Sequence, residues 1–189
     1  MRPLHTIAAI IVVLATFLPI ARVTARDEAT MLTVVTSPNV IPATPLPRIF
    51  LAGSIDMGSA ENWQKALVAS LAGEQAIVLN PRRDDWDPSW KPDLSDFHFK
   101  EQVEWELNAL ERADIIVMAL TPDSKSPVSL LELGLYANSG RLIVFCPPGF
   151  WRKGNVDAVV SRYQVKSAAS MQELVAEVRS RVRAMRMHR

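Results

Sequence analysis

The sequence predicts a three-layer α/β domain in which helices cover both faces of a parallel sheet of four to five strands. Two observations carry this prediction. Short apolar runs alternate with amphipathic helical patterns from Arg48 onward, and the strand runs end in turn signals such as Gly-Ser, Asn-Pro and Pro-Pro-Gly. Because parallel strands need a helical crossover, strict alternation of the two element types favours this architecture.

The elements follow one another in a regular order. A buried strand over 49–52 leads into Gly53 and Ser54, and we expect Ser59 to cap the next helix. Further strands are predicted at 76–79, 113–120 and 141–146, with residues 163–165 fitting a last short strand. Helices are predicted at 97–112, 128–137 and from Met171 to Met185. Ligands of such sheets bind beyond the carboxyl ends of the strands, so functional residues are expected there.

The first 25 residues have the pattern of a cleavable signal peptide. An apolar run from Ile7 to Ile20 is followed by small residues at 23–25. The run is shorter than the about 20 residues of a spanning helix, although an uncleaved membrane anchor remains the alternative. We therefore expect a secreted protein or one in the secretory pathway. Residues 26–47 contain four prolines and predict an extended linker, which leaves 48–189 as the folded domain.

Composition excludes several classes of function. The 189 residues suffice for one domain, and the single cysteine, Cys146, rules out an intramolecular disulfide or a cysteine-based zinc site. Three histidines do not make a histidine-rich metal site. A net charge of +1 gives no footprint for polymeric nucleic acid. Neither a dinucleotide-binding glycine motif nor a P-loop is present, so we expect no cofactor and no metal.

Glu106 is an acidic residue on the apolar side of a predicted helix. The stripe of that helix comprises Phe99, Val103, Leu107 and Leu110, and helical spacing places Glu106 within it. Burial of an unpaired carboxylate is costly, so this group is either paired, kept neutral or turned toward a cavity. The alternative is an edge position that reaches water or an arginine such as Arg82.

Glu132 is the only Asp, Glu, His, Lys or Arg residue of the apolar segment 128–137. A helix so apolar is largely buried, which leaves its one acid for the ligand crevice. We expect the positive end of the helix dipole to favour the ionised, nucleophilic form. The alternative is structural: Ser129 and Glu132 have the spacing of a capping box.

Several short motifs in this order resemble the nucleoside 2-deoxyribosyltransferase family. They are 48–54 (RIFLAGS), 106–117 (ELNALERADIIV) and 131–137 (LELGLYA), and 80–83 (NPRR) and 149–155 (GFWRKGN) resemble its deoxyribosyltransferase-like branch. The resemblance covers residues 48 to about 165. It implies a flavodoxin-like (Rossmann-like) fold and a Glu132 that attacks the anomeric C1′ of a nucleoside. It places Glu106 where the family has an aspartate beside the base.

The resemblance and the strand ends together give a set of expected substrate contacts. Phe50 stands where the family has an aromatic residue near the ring, and Asn155 roughly where a neighbouring subunit supplies an asparagine. Ser126 stands where the family typically holds an aspartate that binds the sugar hydroxyls. The full set is Phe50, Gly53, Ser54, Asn80, Arg82, Asp114, Ser126 and Asn155.

Two carboxyl groups suit the cleavage of an N-glycosidic bond, with Glu132 forming a glycosyl ester and Glu106 protonating the leaving base. We expect a nucleoside or nucleotide and a free base as small-molecule partners, and a homo-oligomer. Transfer to a second base, hydrolysis by water and a noncatalytic nucleotide-binding sensor are the three functional alternatives.

Overall fold

The computed structural model describes residues 32–56 and 61–187. The proposed signal peptide and the proposed cap Ser59 lie outside these residues. Six strands form one parallel sheet: β1 (Thr33–Thr36), β2 (Arg48–Gly53), β3 (Ile77–Asn80), β4 (Ile115–Ala119), β5 (Leu142–Phe145) and β6 (Lys166–Ala168). The sheet therefore has one strand more than the upper number that the sequence predicts.

Five helices lie on the two faces of the sheet within the described ranges. They are α1 (Trp63–Ser70), α2 (Phe97–Arg112), α3 (Pro127–Tyr136), α4 (Lys153–Arg162) and α5 (Met171–Met187). One apolar core joins one face to α2, α3 and α4 through Trp105, Leu133 and Val156. The other core joins the opposite face to α1 and α5 through Leu67 and Val178. This is the three-layer α/β arrangement that the sequence predicts.

The strand order is β1-β3-β2-β4-β5-β6. After β2 the chain passes to β3 on one side, and from β3 it returns to β4 on the other side of β2. Without β1, this is the strand order of flavodoxin-like sheets. Ligands of such sheets bind at the topological switch point, which is the place where the strand order reverses. The switch point here lies at the carboxyl ends of β2 and β4.

The fold begins before Arg48, because β1 lies within the stretch that the sequence predicts as a linker. Its residues pair with β3 in parallel register from Thr33 with Ile77 to Thr36 with Asn80. Val35 and Ile41 are buried in the core beside α2, and Trp105 donates its indole N–H to the carbonyl of Asn39. The prolines that suggested a linker lie after this strand and outside it.

Three smaller differences from the predicted elements concern a helix cap, an additional helix and the position of the last strand. Asn62 caps α1, and its side chain accepts a hydrogen bond from the amide of Lys65. Helix α4 occupies residues for which the sequence predicted no helix, and the last strand lies at Lys166–Ala168, after the expected 163–165. Helix α2 has the predicted bounds. None of the helices among the described residues has the length and apolarity to cross a membrane.

Candidate active site

The carboxyl ends of β2 and β4 are held in close contact at the switch point. Gly53 has a φ of +126°, and the amide of Ser54 donates to the carbonyl of Ala119 at 2.9 Å. A Cβ on Gly53 would lie 2.1 Å from that carbonyl oxygen, so only glycine fits here. We call the space beyond these strand ends, bounded by Gly53, Thr121 and α3, the switch-point crevice.

Three serine hydroxyls form a buried chain beside the switch-point crevice. The Oγ atoms of Ser54 and Ser126 lie 2.8 Å apart, and those of Ser126 and Ser124 lie 2.5 Å apart. The amide of Thr121 donates to Ser54 Oγ at 2.9 Å. All three serines are at most 5% exposed. The chain ties the loop after β4 to the end of β2.

Helix α3 begins directly after this serine chain. Ser126 has a φ of +44° and precedes Pro127, the first residue of the helix. Ser129 donates its hydroxyl to the carbonyl of Gly53 at 2.9 Å, which fastens α3 to the end of β2. Because that hydroxyl is used here and the helix starts before Ser129, the capping-box interpretation of Ser129 and Glu132 is wrong.

Glu132 lies on the inner side of α3 and is 8% exposed. Among the described residues nothing donates a hydrogen bond to its carboxyl group. Burial, together with the charge of Glu106, raises the pKa of Glu132 to about 8. The raised pKa runs against the expectation that the helix dipole favours the ionised form of Glu132. The dipole acts mainly on the first turn, and Glu132 lies in the second.

Glu106 reaches the same place from α2. Its side chain is partly exposed, and Gln102 donates a hydrogen bond from Nε2 to Glu106 Oε1 at 2.7 Å. Burial of the carboxyl group raises its pKa to about 7, against the lowering effect of the Gln102 hydrogen bond. The buried residues of α2 are Gln102, Trp105, Ala109 and Leu110, whereas Leu107 is exposed, so the predicted stripe was displaced around the helix.

The charge of one carboxyl group acts on the other. The charge of Glu106 adds to burial in raising the pKa of Glu132. Glu106 forms no ion pair with an arginine among the described residues, contrary to the alternative that paired it with Arg82. With pKa values of about 7 and about 8, the two acids lose their protons one after the other in the neutral to weakly alkaline range. Such a pair can supply one nucleophile and one acid.

The loop after β3 forms another side of the site. Asn80 accepts the amide of Arg82 through its Oδ1 atom, which closes a tight turn at the strand end. Gln64 bridges this loop to β2, because its Oε1 accepts from Arg82 Nη1 at 3.4 Å and its Nε2 donates to the carbonyl of Ser54 at 3.4 Å. Asn80 and Arg82 are thus brought to the same end of the sheet as Ser54.

Three expected substrate contacts lie elsewhere. Phe50 is fully buried in the core and offers no surface to a ligand. Asp114 lies at the amino ends of β2 and β4, where its Oδ2 accepts the amide of Arg48 at 2.8 Å, so we assign it a structural role at the opposite end of the sheet. Asn155 is exposed in the first turn of α4, in a shallow groove that contains Leu133 and Trp151.

Some residues of the candidate site were not predicted from the sequence to belong to it. Ser124 and Ser129 complete the hydroxyl contacts, Gln64 joins two loops, and Gln102 binds Glu106. The closely spaced serines 124, 126 and 129 around Pro127 are a signal that was available in the sequence. Gln102 stands four residues before Glu106, on the same helix face, which is the spacing that brings two helical side chains together.

Two other surface grooves lie apart from the paired carboxyl groups. One lies between α1 and α5 and is lined by Trp63 and Arg179, and the other lies beside β6 and is lined by Cys146 and Lys153. Neither contains Glu106 or Glu132. No group of acidic, histidine or cysteine side chains suited to a metal ion occurs within 32–56 and 61–187.

Comparison with known proteins identifies the family. A family model described as nucleoside 2-deoxyribosyltransferase like matches residues 46–150, more than half of the chain. The chain belongs to this family. Membership supports a nucleoside-related role with small-molecule nucleosides as substrates. The match contains both paired carboxyl groups and all three serines of the buried chain.

Comparison with solved structures also gives a match. It is described as the crystal structure of a conserved protein from Enterococcus faecalis V583, with 16% sequence identity and a TM-score of 0.49. The alignment covers 72% of this chain and 99% of that chain. No curated protein matches the sequence.

Proposed function

We propose that this protein transfers the sugar of a 2′-deoxynucleoside from one base to another through a covalent glycosyl ester on Glu132. The observation that carries the proposal is the pair of carboxyl groups, Glu132 and Glu106, whose pKa values burial raises to about 8 and about 7. A retaining cleavage needs two carboxyl groups about 5 Å apart, one as nucleophile and one as acid.

The first step needs the proton on Glu106 and the negative charge on Glu132, which is the less populated arrangement for pKa values of about 7 and about 8. From this arrangement the Glu132 carboxylate attacks the anomeric C1′ atom. The bond between C1′ and the base breaks, its electron pair leaves with the base, and Glu106 gives its proton to that base. In the second step, a new base attacks C1′, the ester bond breaks, and Glu132 leaves as a carboxylate. Glu106, ionised after the first step, takes the proton of the incoming base.

The serine chain supplies the contact to the sugar in this proposal. The three serine hydroxyl groups carry three hydrogens, and two of these hydrogens are donated in the two hydrogen bonds between the serines. The third hydrogen has no acceptor among the described residues. An oxygen of the sugar is an acceptor of the required kind. Ser126, a neutral hydroxyl where the family typically has an aspartate, can donate this hydrogen bond, whereas an ionised aspartate only accepts.

The test uses purified protein and a deoxynucleoside, with and without a second free base, followed by chromatography. We expect exchange of the base, and Glu132→Ala to abolish it while the domain remains folded. Glu104→Ala on the exposed side of α2 is the matched control and should leave exchange unchanged. Release of base without an acceptor would identify an N-hydrolase. Binding without turnover would identify a noncatalytic sensor.

We also propose that residues 1–25 direct the chain into the secretory pathway and are then removed. Mass spectrometry of exported protein should find an amino terminus near Arg26. An intact Met1 on membrane-bound protein would support the alternative of an uncleaved anchor.

A further inference from the structure

Gln102 is a buried polar residue whose three hydrogen bonds all have fixed partners. It is 5% exposed. Its Nε2 group donates to the carbonyl of Pro81 at 2.8 Å and to Glu106 Oε1 at 2.7 Å, and its Oε1 accepts the hydroxyl of Ser37 at 2.6 Å. Because a proline carbonyl is only an acceptor, the nitrogen of the amide must face Pro81, which fixes the orientation of the amide group.

Ser37 is fixed in its turn by the sheet. It is 4% exposed, it follows β1, and its amide donates to the carbonyl of Asn80 at 3.1 Å. A chain of hydrogen bonds therefore runs from the edge of the sheet through Ser37 and Gln102 to Glu106. Ser37 and Gln102 are each held from two sides before a substrate arrives.

We propose that Gln102 is a positioning residue for Glu106. By donating a hydrogen bond to Oε1 of Glu106, Gln102 selects Oε2 as the oxygen that carries and transfers the proton. Both amide hydrogens of Gln102 are donated, so Glu106 Oε1 must accept and cannot hold a hydrogen directed at Gln102. The proton of the neutral acid then lies on Oε2. This inference rests on the proposed function for its catalytic part.

The same hydrogen bond is expected to assist departure of the base. When Glu106 gives up its proton it becomes a carboxylate, and a hydrogen bond to a charged acceptor is stronger than one to a neutral acid. The gain appears only as the charge develops, so it lowers the barrier rather than tightening the binding of substrate. Ser37 acts one bond further away, by holding the Gln102 amide.

The experiment compares Gln102→Leu, Ser37→Ala and Ser37→Thr with the native protein. Gln102→Leu should lower kcat by about 10- to 100-fold with little change in KM, the loss expected for a hydrogen bond to a charged group. Ser37→Ala should lower kcat by a smaller factor, because Gln102 can still donate its hydrogen bonds to Pro81 and Glu106. Ser37→Thr should retain activity, because the hydroxyl remains. Gln172→Leu on the exposed side of α5 is the control.

Two readouts separate positioning of the acid from general damage. The loss in kcat should shrink for a deoxynucleoside whose base leaves easily without protonation, since that reaction needs Glu106 less. The alkaline limb of the kcat profile should also move to higher pH, because Gln102 normally lowers the pKa of Glu106. An equal loss for both kinds of base, or an unmoved limb, would overturn the proposal.

A measurement without turnover separates this inference from the proposed function. In the Glu132→Gln background, Glu106 is the remaining acid of the pair, and ¹³C NMR of labelled glutamate follows its titration. Adding Gln102→Leu or Ser37→Ala should raise the pKa of Glu106. If native protein exchanges no base but the pKa rises in this way, the reaction is wrong and the hydrogen-bond assignment holds. If the titration does not move, the assignment itself is wrong.

Discussion

At the scale of single residues, the consequence of burying Glu132 is a stability that depends on pH. Its pKa is raised in the folded chain from an ordinary value of 4.5 to about 8. A carboxyl group with a raised folded pKa contributes its full stability below pH about 4.5, and that contribution is lost as pH rises through about 8. The buried acid therefore destabilises the domain increasingly over this range.

Glu132→Gln should remove this dependence. We expect the variant to gain stability relative to the native protein between pH 5 and pH 9, by on the order of 4 kcal/mol, because a tenfold change in an acid's ionisation constant on folding corresponds to about 1.4 kcal/mol. Urea unfolding at both pH values measures the difference. Glu104→Gln, at an exposed position, is the control and should show no such trend. A gain that is the same at both pH values would contradict the burial argument.

At the scale of elements, the contact between β2 and β4 depends on one glycine. Gly53→Ala would place a Cβ 2.1 Å from the carbonyl oxygen of Ala119, at a φ of +126° that alanine rarely adopts. The expected cost exceeds about 3 kcal/mol of unfolding free energy, measured by urea denaturation. Gly134→Ala in α3 has open space for its Cβ, and we expect it to stabilise the domain by about 0.5–1 kcal/mol.

Strand β1 gives a second prediction at this scale. A shortened chain that begins at Arg48 loses the strand that covers the edge of β3, the buried side chain of Val35 and the partner of the Trp105 indole. We expect it to be several kcal/mol less stable than a chain that begins at Leu32, and to aggregate through the exposed edge. Equal urea midpoints for the two chains would show that residues 32–47 act as a linker after all.

The elements also show how far the sequence was informative. The bounds of helix α2 and the positions of the central strands follow from clear patterns and were confirmed. Strand β1 was missed, since four residues with only Val35 buried and prolines nearby carry a weak pattern. The candidate site was predicted through Glu106 and Glu132. Gln102 and Ser37 were not, because a contact across 65 positions leaves no local signal.

The misplaced face of α2 has a physical reason. The periodicity of Phe99, Val103 and Leu107 suggested one side of the helix, but Gln102 and Trp105 occupy the buried side. Gln102 is polar and looks exposed in sequence, but it is buried because the carbonyl of Pro81 accepts one of its hydrogens. Trp105 packs in the apolar core, and the carbonyl of Asn39 accepts its indole hydrogen. A pattern of hydrophobicity does not record such partners, which come from distant parts of the chain.

At the scale of the whole molecule, one face of α3 is apolar and uncovered in the single chain. Val128, Leu131 and Leu135 are each more than half exposed, at helical spacing, and Trp151 is 50% exposed after β5. Leu131 and Leu133 flank Glu132 in sequence, so this face lies on the helix that carries the proposed nucleophile. Contiguous apolar surface of this kind marks interaction sites, and self-association is the commonest way to cover it.

We therefore expect at least a dimer in which Asn155 of one chain approaches Glu132 of the other. The side chain of Asn155 is exposed on α4, in the groove next to α3, and it has no hydrogen bond within the described residues. Covering the site would also exclude water, which a glycosyl ester requires if it is to await a second base. Each inactive variant, Glu132→Ala and Asn155→Ala, lacks one half of the shared site.

Mixing these two variants provides the test. A hybrid dimer has one site with both residues intact and one site with neither, and random exchange makes half of the dimers hybrid. About one quarter of the native activity should therefore return. If Asn155 served its own chain, no hybrid site would hold both residues and activity would stay absent. A native protein that is monomeric by light scattering at assay concentration would equally contradict the shared site.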